Sequence, residues 1–171
     1  MTISLRQATA EDAEAVMTLH LRCHEEAYGR HLPDEFFDER RAGLADRIES
    51  FRNRNVAGFG TTLAYDGDSL VGLAAGGSAR EEHAPADVEL YMIYTLKSAY
   101  GSGAGQALLD EVIGEQAAFL WVLEDNPRAQ AFYTKNGFVA DGTRKLLSEA
   151  WRNLPEIRMV RATGPSAEPR R

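Results

Sequence analysis

The 171-residue sequence is short of cysteine, of basic charge and of long apolar runs. Each shortage excludes something. One cysteine, Cys23, cannot close an internal disulfide and cannot by itself hold a structural zinc. Lys and Arg number 19 against 26 Asp and Glu, a formal charge of −7. A surface of that sign repels phosphate and argues against nucleic acid or an anionic membrane as partner. No apolar run approaches the ~20 residues that span a bilayer. Residues 1–6 lack an apolar core of signal-peptide length. A cytoplasmic protein without a membrane partner is therefore expected. Hydrophobic residues make up 44% and charged residues 26%, an ordinary globular composition. Residues 1–163 are expected to form one domain, and residues 164–171, with two prolines and no large apolar side chain, a flexible tail.

Residues 3–8 alternate apolar and polar, the period of a half-buried strand. Thr9 offers a helix cap, with Glu11 and Asp12 where the helix dipole favours negative charge. Val16, Leu19 and Cys23 stand at helical spacing and predict a helix to about Ala27. Residues 28–33 read as a loop, and Phe36, Phe37, Leu44, Ile48 and Phe51 predict a second helix. Two short apolar runs, 61–65 and 69–73, are joined by Asp66-Gly67-Asp68, a hairpin signal. A third run, 88–96, follows the charged stretch 80–87. Gly101-Ser102-Gly103-Ala104-Gly105 then leads into Leu108, Leu109, Val112 and Ile113 at helical spacing. Residues 119–123 predict a strand. Asn126-Pro127 opens a helix with cap and first-turn proline, and Asn136-Gly137 ends it. Residues 138–140 and 157–161 are the last strands predicted. No internal repeat is visible, and the order gives a mixed α/β sheet with helices on its faces.

A strand running into a glycine loop and then a helix is a phosphate-binding geometry. First-turn amides lack intrahelical partners and lie at the positive end of the dipole. Glycine allows positive φ and a close approach to an anion. The P-loop pattern fails, because Gln106-Ala107 stands where Gly-Lys-Ser/Thr is needed. The dinucleotide fingerprint fails too: the spacing is G-x-G-x-G and several strands precede it. Taken alone, the cluster also reads as a loop that merely starts a helix.

From Glu89 to Phe138 the sequence resembles the GNAT superfamily of acyl-CoA-dependent N-acetyltransferases. The likeness rests on Tyr100-Gly101-Ser102-Gly103-Ala104-Gly105 and, later, on Asn126-Pro127-Arg128-Ala129-Gln130-Ala131-Phe132-Tyr133-Thr134-Lys135-Asn136-Gly137-Phe138. Element order extends it to about residues 2–162. It implies a GNAT-like, mixed and mostly antiparallel central sheet flanked by helices. It also implies acetyl-CoA as acyl donor and a primary amine, small molecule or peptide, as acceptor, the amine attacking the thioester directly in a ternary complex. The amides of Gly101, Ser102, Gly103, Ala104, Gly105 and Gln106 would cradle the pyrophosphate. Tyr100 stands where the family often has Gln or Arg. Ile93, Tyr94 and Thr95 would pair with the pantetheine arm through their backbone, an added strand in chemical terms. Amides near Ile93 would polarise the thioester carbonyl. Asn126 would contact the cofactor and Tyr133 protonate the departing thiolate. Read without the family, Asn126 is a helix cap and Tyr133 a core aromatic beside Phe132.

Glu89 alternates with Val88 and Leu90 on the strand leading to the loop. A partly desolvated carboxylate there is a better base near neutral pH, and an amine must lose a proton before it attacks. The same residue also reads as part of a solvated strand face or as a structural ion pair. Trp121 occupies the position of the catalytic glutamate of ribosomal-protein alanine acetyltransferases, so this sequence departs from that branch. Two rival readings remain: a non-catalytic acyl-CoA-binding sensor or interaction domain, and a transferase using a longer acyl-CoA.

His20 and His24, four apart with Cys23 beside them, have the spacing of a two-imidazole metal face. No further ligand motif completes it, so no metal is expected and the pair reads as a solvated helix face. Tyr28 and His31, in the loop that tends to wall the acceptor site in this fold, are candidates for substrate binding. Asp34, Glu35, Asp38 and Glu39 follow; they would favour a cationic amine or simply coat a helix. Leu146, Leu147 and Trp151, in the stretch 144–153, leave two readings open: a pocket lining or a homodimer face.

Overall fold

The computed structural model describes residues 2–56 and 60–162. The expected tail at 164–171 lies outside them. In chain order the elements are β1 (Ile3–Gln7), α1 (Ala13–Tyr28), α2 (Asp34–Ala42), α3 (Leu44–Val56), β2 (Thr62–Asp66), β3 (Ser69–Ser78), β4 (Val88–Thr95), α4 (Ala104–Val112), β5 (Ala118–Leu123), α5 (Pro127–Lys135), β6 (Val139–Leu146) and β7 (Pro155–Arg161). The seven strands are ordered β1-β2-β3-β4-β5-β7-β6. β1–β2, β2–β3, β5–β7 and β6–β7 are antiparallel, and β4–β5 is parallel. The mixed, mostly antiparallel sheet is the one expected. By their contacts the residues divide into two compact units, Met1–Ala75 with Met92–Val112, and Gly76–Tyr91 with Ile113–Arg171.

In the first unit, Thr9 precedes a short 3₁₀ turn, Ala10–Asp12, that leads into α1, and the Thr9 amide donates to Asp12 Oδ2 at 2.8 Å. α1 buries Ala13, Val16, Met17, Leu19 and Cys23 with Phe51 of α3, Leu63 of β2 and Leu73 of β3. Ala64, Val71 and Ala74 pack instead with Ala104 and Leu108 of α4. Leu63 and Ala64 are neighbours on one strand and point to opposite faces, so this part of the sheet carries helices on both sides.

The single helix expected over residues 36–51 is two. Gly43 caps α2, its amide donating to Glu39 O at 2.9 Å, and α3 restarts at Leu44. β3 is longer than expected, running to Ser78 through Ala74-Ala75-Gly76-Gly77, a stretch of poor strand propensity. Tight approach explains two of its glycines. A Cβ on Gly72 would lie 2.9 Å from Tyr94 O and 2.9 Å from Thr95 Cγ2.

In the second unit, a Cβ on Gly77 would lie 2.8 Å from the hydroxyl of Tyr91, which donates to Ser78 O at 2.6 Å. Its core includes Phe119, Leu120, Ile113 and Phe138, all nearly inaccessible. Arg161 of β7 stacks over the Phe138 ring at 4.8 Å and donates to Gln116 O. β6 continues past the expected end at Ala140, because Asp141-Gly142-Thr143 is a bulge and not a turn. Gly142 takes φ +86°, and Asp141 Oδ1 accepts from the Thr143 amide at 2.9 Å. The expected loop over 144–153 therefore begins only after Leu146, which is 56% exposed on β6. Leu147 and Trp151 are half-buried.

Candidate active site

The glycine loop follows β4. The Leu96 amide closes the strand on Val71 O at 2.9 Å, and a 3₁₀ turn at Lys97–Ala99 leads into Tyr100. Gly101 and Gly103 then take φ +79° and +91°, conformations that L side chains resist. A methyl group on either would meet no heavy atom within 4 Å. Crowding does not select these glycines; their backbone conformation does. α4 starts at Ala104 with no acid in its first turn, so the positive end of its dipole is uncompensated there. The Ser102 amide donates to Ala99 O, and Ser102 Oγ accepts from the Ala104 amide at 3.2 Å. Gln106 commits its side-chain amide to Asp110 Oδ1 at 2.8 Å. Tyr100 is 38% exposed.

Ile93, Tyr94 and Thr95 lie half-buried at the end of β4 before this loop. The parallel β4–β5 register covers Val88–Leu90 opposite Ala118–Leu120. β4 runs on to Thr95 outside that register.

Tyr28, proposed for the acceptor side, meets this strand: its hydroxyl is 3.2 Å from that of Tyr94. His20 and His24 join them, with ring centroids 5.1 and 5.0 Å from Tyr94 and 4.1 Å from each other. This overturns the solvated helix face expected for the pair, since His24 is 3% exposed. His24 is buried on the same helix as Val16 and Leu19. Burial, helped by nearby Arg47 and Arg40, holds His20 down to about 4. Burial and its neighbour His20 hold His24 down to about 2. Both are neutral at pH 7. His31 Nε2 accepts from Arg30 Nε at 3.1 Å. Burial pushes the Cys23 thiol up to about 12, which makes it a poor nucleophile. The acids of α2, Asp34, Glu35, Asp38 and Glu39, are all exposed, and Asp38 pairs with Arg41 at 2.7 Å.

Glu89 is 3% exposed. Arg80 grips it: Nη2 donates to Oε1 at 2.6 Å, while Nε and the Arg80 amide donate to Oε2 at 3.2 and 3.0 Å. The same guanidinium lies over the Tyr91 ring at 4.0 Å. Reading along the sequence misses Arg80, because only the β3–β4 connection folds it back onto the strand. Trp121 is likewise committed, its Nε1 donating to Glu81 with the Lys145 ammonium 4.0 Å over its ring.

On α5, Asn126 Oδ1 accepts from the Ala129 amide at 3.1 Å, so the cap is real. Gln130 reaches back to Leu123 O at 3.1 Å and Glu124 O at 2.8 Å, tying the helix to the end of β5. Tyr133 is 7% exposed and packs edge-on against Phe132 and Phe138, at centroid distances of 5.4 and 5.9 Å.

The strand order, the left-handed glycine loop at the end of β4 and the asparagine-capped helix after β5 together define an acetyltransferase fold. Among solved structures, the chain is similar to a PaiA N-acetyltransferase of Thermoplasma acidophilum in complex with coenzyme A (TM-score 0.70, 19% identity, 95% of this chain and 99% of that one). It is also similar to YncA of Salmonella typhimurium, an acetyltransferase solved with acetyl-CoA (TM-score 0.66, 16% identity, 99% of each chain). An uncharacterized N-acetyltransferase of Mycobacterium bovis is 42% identical over 64 residues, 34% of this chain and 41% of that protein. The match thus spans about two-fifths of the curated relative. Residues 13–138 match the model of the acetyltransferase (GNAT) family, and the chain belongs to that family.

Proposed function

We propose that the protein transfers an acetyl group from acetyl-CoA to a primary amine. The observation that carries this reading is the pair of left-handed glycines, Gly101 and Gly103, running into the acid-free first turn of α4. Amides aimed outward at a helix start are suited to a pyrophosphate, and the missing side chains let it come close. In the proposed reaction Ile93, Tyr94 and Thr95 hold the pantetheine arm through their backbone. The amine nitrogen attacks the thioester carbonyl, the new N–C bond forms, the C–S bond breaks and coenzyme A leaves as a thiolate. Tyr133 gives the sulfur a proton. Glu89 takes one from the amine, through water that replaces one of the Arg80 donors. Asn126 adds a contact to the cofactor besides capping α5.

Acetyl-CoA binds only the folded chain in this reading and must raise the melting temperature. Thiol release with an amine panel then reports transfer. Tyr133→Phe should keep the rise in melting temperature and lose about 10²-fold or more in kcat, the usual worth of a general acid. No rise with coenzyme A, acetyl-CoA or succinyl-CoA would sink the proposal. The engagement of both Glu89 oxygens by Arg80 favours a second reading, an acyl-CoA-binding domain without turnover. That reading predicts the same melting response and no thiol release with any amine.

A further inference from the structure

Beside the aromatic rings of α1 and β4 lies a charge that the transfer chemistry does not use. Arg47 of α3 places Nη2 3.1 Å from His20 Nδ1. Its Nη1 is buried without a hydrogen-bond partner among the described residues. What it senses electrostatically is Arg40 and Arg54, both of its own sign. Arg40 of α2 lies over the Phe36 ring at 4.6 Å and is within electrostatic reach of Tyr28 and Tyr94. Neither histidine offers a compensating charge, and the α2 acids point to solvent. A half-buried guanidinium with an unmet N–H is costly to hold and persists where something else supplies the anion. The planar guanidinium fork fits a carboxylate or a phosphate.

We infer that this cluster binds an anionic group and that the acceptor carries it: the substrate is an amine bearing a carboxylate or phosphate that pairs with Arg47. The inference rests on the acetyl-transfer reading, in which the strand around Tyr94 holds the thioester arm. Tyr94 touches both histidines and Tyr28, so an anion at Arg47 would hold its amine on that same side of β4. Amines with additional positive charge, such as polyamines, are disfavoured.

Two measurements separate the inference from the reading beneath it. In the first, inorganic phosphate or propionate is titrated against the melting temperature, with no turnover required. The wild type should be stabilised and Arg47→Gln should not, while Arg47→Gln keeps its response to acetyl-CoA. If that variant does not fold, Arg40→Gln takes its place. In the second, thiol release compares alanine with ethylamine and phosphoethanolamine with ethanolamine. The wild type should favour an anionic member by about tenfold or more in kcat/KM, and the ratio should shrink toward one in Arg47→Gln. Whichever pair shows the preference distinguishes carboxylate from phosphate. An equal anion response in wild type and variant, or a preference for the uncharged amines, overturns the inference and leaves the donor reading standing. A missing acetyl-CoA response overturns the donor reading, and the anion titration still judges Arg47.

Discussion

Glu89 is held in place by a partner nine residues earlier, and its environment asks two things of one carboxylate. It must satisfy the Arg80 guanidinium and the Arg80 amide, and in the proposed reaction it must also accept a proton. Glu89→Gln separates these. The amide turns an NH₂ toward a donor, so unfolding free energy should fall by about 1–3 kcal/mol, read from denaturant melts. If Glu89 also relays the proton, kcat falls about 10²-fold at neutral pH and the acid limb of the pH–rate profile moves. A lower stability with an unmoved profile would make it a structural carboxylate. The alternation of Val88, Glu89 and Leu90 put the residue on a strand but left its burial open, and the structure buries it. Its partner was invisible, because Arg80 sat in a charged stretch that reads as solvated loop.

At the scale of elements, the glycine loop before α4 rests on backbone conformation and the start of α5 on a side-chain cap. Gly101→Ala or Gly103→Ala should cost roughly 1–2 kcal/mol for a left-handed alanine. The added methyl sits in open space on a loop proposed to touch pyrophosphate, so acetyl-CoA affinity should fall by about tenfold or more in calorimetric titration. An unchanged affinity would remove the loop from the cofactor site. For α5, Asn126→Ala should lose ~1 kcal/mol with its cap. Asn126→Asp keeps the acceptor oxygen and the stability; if it also keeps full acetyl-CoA affinity, the asparagine is a cap and nothing more. Start and stop signals made α5 legible, since capping is local. The break at Gly43 and the bulge at Asp141–Thr143 were not, since both are settled by what the flanking segments pack or pair with.

For the whole molecule, the buried imidazoles set the acid sensitivity of the fold. An unfolded histidine titrates near ~6.5. Burial and the nearby guanidiniums hold His20 to about 4 and His24 to about 2 in the folded chain. Their contribution is therefore complete above the unfolded value and declines as pH falls through the window from 6.5 toward 4, where only the unfolded chain gains protons. Glu156, raised by burial, acts in the opposite direction. Asp12, held low by Arg6, adds its loss only below the ordinary carboxylate range. The melting temperature should drop by roughly 5 °C or more between pH 7 and 5. His24→Phe should flatten that decline, and an unchanged slope would show that the imidazole does not set it.

The sequence alone marked most of the elements, their order and the two motifs of the family, though not the division of α2 from α3 or the full lengths of β3 and β6, because strand alternation, helix capping and glycine conformation act over a few neighbouring residues. Family and candidate donor site follow from those. Tertiary structure decided which side chains share a charge or a proton: Arg80 on Glu89, Glu81 on Trp121, and Arg47 beside His20 against Tyr94. Such pairs join residues nine to more than seventy positions apart. Local pattern holds no record of them; they exist once the chain has folded and water has been excluded around them.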